Sequence, residues 1–223
     1  MGGGGNPRNI GRRTLTYESA IEVGGEHVGV GRIVMHNNDS DASATDPLYA
    51  QVLGDRWNQL SPAVQQLHAG AVRYRGTFCV SRGRRWIANL LGRCLRLPSQ
   101  GERVAIELEV SPVEGGERWF RRFGDEVLES SQRAGPRGVI VERFGPFELR
   151  MTLQVVSGAL EYHLRGVALR LGRWPVPLPC PKTSQAGARE APCDDGASVD
   201  VLASAQMPWF GLLVEYKGII APH

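Results

Sequence analysis

From residue 71 onward, apolar residues alternate with polar or small ones in short runs. Val72, Tyr74, Phe78 and Val80 fall at even spacings, the period of a half-buried strand. Runs of the same kind predict strands at Val104–Val110, Arg118–Phe123, Glu126–Ser130, Val139–Phe144, Phe147–Val156, Leu160–Leu171, Ser198–Ala205 and Leu212–Ile219. Gly115-Gly116, Gly124-Asp125, Gly145-Pro146 and Ser157-Gly158 separate several of them as tight turns. Eight or nine antiparallel strands at this spacing predict a mainly β fold, an antiparallel barrel or barrel-like curved sheet. The strand–helix alternation of a doubly wound nucleotide fold is missing.

Helical spacing shows at three places. Leu48, Tyr49, Val52, Leu53 and Trp57 predict a helix capped by Asp46, with Pro47 in its first turn. Ser61-Pro62 opens a second short helix through Val64 and Leu67, closed at His68-Ala69-Gly70. Arg84–Leu97 is an amphipathic helix with Trp86, Ile87, Leu90 and Leu91 on its apolar face and arginines around it. Such a helix covers one mouth of the barrel as core, gates it as a lid, or lies on a membrane surface. The run Trp174 to Pro181 holds four prolines and reads as a loop across one end of the barrel.

Residues 1–45 are glycine-rich and polar. They predict a flexible or weakly structured segment, or a weak hairpin around Gly24-Gly25, ahead of a single β-rich domain over 46–223. No run approaches the ~20 apolar residues of a membrane span, and no secretory signal is evident, so a cytoplasmic protein is expected. Of 26 basic residues, 24 are arginine, yet the net charge is only +3. That balance argues against nucleic acid as a partner. Cys79, Cys94, Cys180 and Cys193 make no CxxC pair and no zinc spacing. No metal or cofactor is expected, and the thiols are expected to be reduced.

Candidate chemistry gathers on two strands. Trp119, Arg121 and Phe123 share one face of theirs. Facing inward, Arg121 would grip a carboxylate or phosphate while the rings hold the apolar part of a ligand. Facing outward, the arginines would form a ladder with Glu107, Glu109, Glu142 or Glu148. Glu142 and Arg143 at a strand end have the chemistry of a base and an anion holder, against a plain surface ion pair. Tyr216 completes the candidate set. His163 belongs to an outward polar face, and His68 reads as a helix-terminal residue suited to the helix dipole. No GxSxG, HExxH, Walker loop or GxGxxG motif is present.

The segments LYAQVLGDRWNQLSPAVQQLH, GERWFRRFG, VERFGPFELRMTLQVVSGAL, Trp-Pro-x-Pro-Leu-Pro and FGLLVEYKG resemble, in order, a bacterial domain of unknown function, number four-one-six-six. The resemblance covers about residues 46–220. It implies a domain found alone or fused to saccharopine-dehydrogenase-like NAD(P)-binding reductases, with no catalytic residues to carry over. The expected function is an accessory barrel binding an apolar or amphipathic small molecule beside a reductase partner. The alternatives are a cofactor-independent isomerase or cyclase using Arg121, Glu142 and Tyr216, and a membrane-surface or protein-interaction domain working through residues 84–97.

Overall fold

The computed structural model describes residues 46–95, 97–172, 174–178, 186–207 and 211–223. The tail or hairpin expected within residues 1–45 lies outside them. Among the described residues, three short α-helices, α1 (Leu48–Leu53), α2 (Pro62–Leu67) and α3 (Trp86–Cys94), accompany eleven strands. The strands are β1 (Val72–Arg82), β2 (Gly101–Val113), β3 (Gly116–Phe123), β4 (Glu126–Gly135), β5 (Val139–Phe144), β6 (Phe147–Val156), β7 (Ala159–Leu171), β8 (Trp174–Leu178), β9 (Ala186–Pro192), β10 (Val199–Met207) and β11 (Gly211–Pro222).

Neighbouring strands pair antiparallel from β6 back through β1 to β11, β10, β9 and β7, and β6 closes on β7. Ten strands therefore form a closed barrel, which leaves no open sheet edge within the ring. The eleventh, β8, pairs only with the far half of β7, while β9 takes the near half. The Pro-rich stretch is thus a strand over Trp174–Leu178 and not the expected loop. A strand with one neighbour tolerates Pro175 and Pro177, because the missing N–H groups cost it no second ladder.

Alternation sets the two faces. Tyr74, Phe78 and Val80 of β1, Ile106, Leu108 and Val110 of β2, and Leu153, Leu160, Val199 and Ile220 fill the interior. Outside, arginines and glutamates form cross-strand pairs: Arg73–Glu109, Arg75–Glu107, Arg122–Glu107 and Arg118–Glu129. This is the expected outward ladder, built from the strand positions that Arg121 does not share.

Two ends of the barrel are treated differently. At the end where β1 begins, α1, a 3-10 turn over Gly54–Gln59 and α2 form a plug. Leu48, Tyr49, Val52, Leu53, Leu60, Ala63, Val64 and Leu67 are all buried there. Each large apolar side chain so buried contributes about 1.5–3 kcal/mol. Ser61 caps α2, its hydroxyl accepting from the Val64 N–H at 3.4 Å, as its sequence predicts. Pro47, not Asp46, occupies the cap of α1, and no side chain caps that helix. The helix stops at Gly54, whose φ of 57° breaks the expected run through Trp57. Two further ties fasten the plug: Ser61 N–H to Gly158 O at 2.9 Å and Arg56 Nη1 to Leu153 O at 3.2 Å.

At the opposite end, α3 packs against β11 with Ala88 and Gly92 buried. Arg82 passes beneath it and donates to the Leu97 and Pro98 carbonyls at 2.9 and 3.1 Å. Gly92 leaves room for that guanidinium, which a Cβ there would displace. The helix is shorter than the predicted 84–97, and Trp86 and Leu90 of its apolar face stand exposed. Among the described residues, no helix is long and apolar enough to cross a membrane.

Candidate functional site

The barrel interior is not filled. A cavity of about 90 Å³ remains between plug and mid-barrel, lined in part by Leu67, Ile106, Met151, Val201 and Ala203. Its polar wall is made by Trp119, Arg121, Gln132, Glu142, Tyr162, Glu190 and Tyr216. Two hydrogen-bonded clusters meet there.

The first belongs to β3, β4 and β5. Arg121 donates to Ser130 Oγ at 2.9 Å and to Glu142 Oε1 at 3.3 Å, and the Ser130 hydroxyl donates to the same oxygen at 2.6 Å. The guanidinium lies 4.8 Å from the Trp119 ring centroid, a cation–π contact. Burial works against its charge, but the Glu142 carboxylate, with smaller contributions from Tyr216 and Tyr49, outweighs this and holds Arg121 above its ordinary pKa.

The second cluster joins the plug to β7 and β9. His68, the fully buried C-cap of α2, places Nε2 at 2.6 Å from Glu190 Oε2. The Tyr162 hydroxyl donates to that same oxygen at 3.0 Å. It also lies 3.2 Å from the Tyr49 hydroxyl, which donates to Gln132 Oε1 at 2.6 Å. The Tyr49 and His68 rings lie with centroids 3.8 Å apart, tilted by 33°. Burial, followed by the Glu190 charge, raises both Tyr49 and Tyr162 well above the usual phenol range. Nearby, Glu117 receives the Trp119 indole N–H at 3.1 Å, and burial raises its carboxyl above the ordinary range.

Each second carboxylate oxygen has spare capacity. The hydrogen bonds given to Glu190 fall on Oε2, and those given to Glu142 fall on Oε1. The buried His68 Nδ1 and Tyr74 Oη also lack a hydrogen-bond partner among the described residues, but neither residue lines the cavity. With Arg121 and Tyr216 as donors and the Glu142 and Glu190 carboxylates as acceptors, the cavity wall can both donate to and accept from a guest.

Of the five site residues expected from sequence, Trp119, Arg121, Glu142 and Tyr216 line this cavity together. Phe123 also faces inward, but it packs 6.1 Å from Phe78 and 5.4 Å from Tyr216, ring to ring, on the α3 side. Glu142 forms an interior pair with Arg121, not the surface pair by a turn. Arg143 points away and is exposed. His163 faces outward, 3.6 Å from Glu161, as expected. His68, Glu190, Tyr49 and Tyr162 are the functional candidates that the sequence conceals. Glu190 lies 122 residues from His68, and nothing local in an Ala-rich strand marks it.

Among the described residues, no three His, Cys, Asp or Glu side chains converge as a metal-holding group. Cys79 and Cys193 are free thiols. The expected approach of Cys180 to Cys193 lies outside the described residues.

No curated protein matches the chain in sequence. Among solved structures, Rv2717c from M. tuberculosis resembles it at 12% identity, over 74% of this chain and 99% of that one, with a TM-score of 0.40. That likeness is too slight to carry a site from one to the other. A family profile, the domain of unknown function DUF4166, matches residues 60–220. The match begins after α1, later than the start near residue 46 expected from the resemblance. It spans most of the barrel, and the chain belongs to the DUF4166 family of domains of unknown function.

Proposed function

We propose that this domain is a binding module whose barrel holds one small molecule with an apolar side and a hydrogen-bonding side. The observation that carries the reading is the convergence of the Arg121–Ser130–Glu142 and His68–Glu190–Tyr162 clusters on one unfilled cavity. A dry cavity of about 150 Å³ takes a benzene ring, so about 90 Å³ suits a smaller guest of a few non-hydrogen atoms. The volume narrows the expected apolar ligand to a compact amphipathic one, since a long acyl chain needs more room. Leu108, Met151 and Val201 suit its apolar side; Arg121, Tyr162 and the spare carboxylate oxygens suit its polar side.

The test is a titration of the full chain with acetate, ethylamine, acetamide and propan-2-ol, followed at the Trp119 indole N–H by NMR. Saturable shifts with at least one probe, abolished by Ala203→Phe filling the cavity, are expected. If no probe shifts the signal and xenon fails to enter, the reading is wrong.

A second reading has its own support. Glu190 receives His68 and Tyr162 on one oxygen, an arrangement able to move a proton on a bound molecule. A cofactor-independent isomerase would then use His68, Glu190 and Tyr162 in addition to the expected Arg121, Glu142 and Tyr216. Deuterium incorporation into a bound carbonyl compound, lost in Glu190→Gln, would favour it over simple binding. The reductase partner stays part of the proposal through the family resemblance, and co-purification with an NAD(P)-dependent enzyme would test it.

A further inference from the structure

The barrel end opposite the plug carries an unusual surface. Strand directions place the end of β1, the start of β2, the β3–β4 and β5–β6 turns and the β7–β8 hairpin at this one end. Here stand the three most exposed large apolar side chains of the described residues, Trp86 at 73%, Trp174 at 65% and Leu171 at 60%, together with Leu90 at 53%, a value that Ile219 on the outer wall shares. Trp86 and Leu90 lie one turn apart on α3. Leu171 and Trp174 face each other across the tip of the β7–β8 hairpin. α3 packs on β11, and in the ring β7 stands three strands from β11 by way of β10 and β9, so the two apolar footholds stand on separate elements of the mouth.

The charges carried by α3 and its flanking residues have one sign. Arg84, Arg85 and Arg93 are exposed on it or at its start, and no acidic residue occurs between Ser81 and Gly101. The acids facing the hollow beside α3 are Asp125 and Glu126 of the β3–β4 turn. Glu126 is held by the Ser99 N–H and hydroxyl at 2.5 and 2.6 Å. Burying Trp86 and Leu90 in the barrel would have been the simple use of α3. Instead the helix packs through Ala88 and Gly92, with Ile87 and Leu91 half-buried beside them, and turns Trp86 and Leu90 out.

We infer that this end of the barrel docks peripherally on the surface of an anionic lipid bilayer. Trp86, Leu90, Leu171 and Trp174 enter the headgroup–acyl boundary, where an indole is at home, and the arginines meet lipid phosphates and carboxylates. Two footholds on separate elements at one barrel end match a broad, flat partner better than a single peptide lodged in a groove. The long arginine stems can cover apolar surface while their heads stay among polar groups. This inference is independent of the interior cavity.

Each arginine near an anionic surface is worth about a five-fold change in partitioning. The experiment is sedimentation of the full chain with vesicles of phosphatidylcholine alone and with about one third phosphatidylserine. Binding only to the anionic vesicles, weakened by salt, is expected. Arg84→Gln with Arg93→Gln should lower the partition coefficient about 25-fold, and Arg84→Lys with Arg93→Lys should largely retain it. Trp86→Ala with Leu90→Ala should weaken binding while leaving the thermal transition in place, since both side chains are exposed. Equal binding to neutral vesicles, no binding to either, or indifference to both pairs of changes would overturn the inference. Capture of polyglutamate in preference to the vesicles would assign the surface to an acidic protein and equally overturn it.

Discussion

His68 Nε2 lies 2.6 Å from Glu190 Oε2, and this contact fastens the helical plug to the far wall of the barrel. Both side chains are buried, so neither can turn to water when the other is lost. Glu190→Ala should therefore destabilise the domain by about 3–5 kcal/mol in urea unfolding. Replacing both, as His68→Leu with Glu190→Leu, should cost less than the sum of the single changes. Strict additivity would show that the contact does not couple plug to wall.

Arg121 and Glu142 make the same kind of pair in the cavity wall, whereas Arg73 and Glu109 make it on the exposed outer face. Arg121→Met leaves Glu142 without its guanidinium, and a loss of about 3 kcal/mol is expected. Arg73→Ala should change stability by no more than about 0.5 kcal/mol. Equal effects at the two sites would contradict the assignment of Arg121 to the interior.

Two buried carboxylates should respond to pH with opposite signs. Burial raises Glu117, so the folded state holds its proton more tightly than the unfolded chain. That contribution is present at low pH and is lost as pH rises past the ordinary carboxylate range. For Glu148, burial would raise the carboxyl, but donation from Arg150 and the charges of Arg133 and Arg150 hold it below its usual value. Its contribution is present above the unfolded pKa and is lost as pH falls. Glu148→Gln should thus weaken the domain most near neutrality, with the difference closing in acid. Glu117→Gln should bring the domain its largest relative gain near neutrality. Unfolding curves collected from acid to neutral pH test both.

Tyrosine ionisation offers a global check. Tyr49, Tyr74, Tyr162 and Tyr216 are all raised, chiefly by burial. Folded stability from these phenols is complete below the ordinary tyrosine pKa and declines above it. In an alkaline ultraviolet titration these four should ionise together with unfolding. Independent ionisation of all five tyrosines of the chain near their ordinary value would show that the interior is open to water.

Much of the barrel was legible because its strands alternate. On β3, Trp119, Arg121 and Phe123 fall on one face by period alone. The strand count fell short at two places for different reasons. β8 hides behind Pro175 and Pro177, which only a strand with one neighbour accommodates. β9 is AGAREAP, with almost no large apolar side chain to alternate. Its Gly187 has a packing role, since a Cβ there would collide with the Tyr162 carbonyl. Whether Arg121 faced in or out was not readable, because a buried arginine needs a partner such as Glu142 from two strands away. The His68–Glu190 contact was hidden for the same reason at greater range. On α3, the pattern showed an apolar face but not which part of it the barrel would cover.

The barrel is proposed to hold a guest between its two polar clusters. Native mass spectrometry of the chain purified from its own host, beside the Ala203→Phe variant, tests this most directly. A stoichiometric small mass released from the wild type and missing from the filled variant is the predicted result. Bare wild-type protein under gentle conditions, or the same adduct on both proteins, would contradict it.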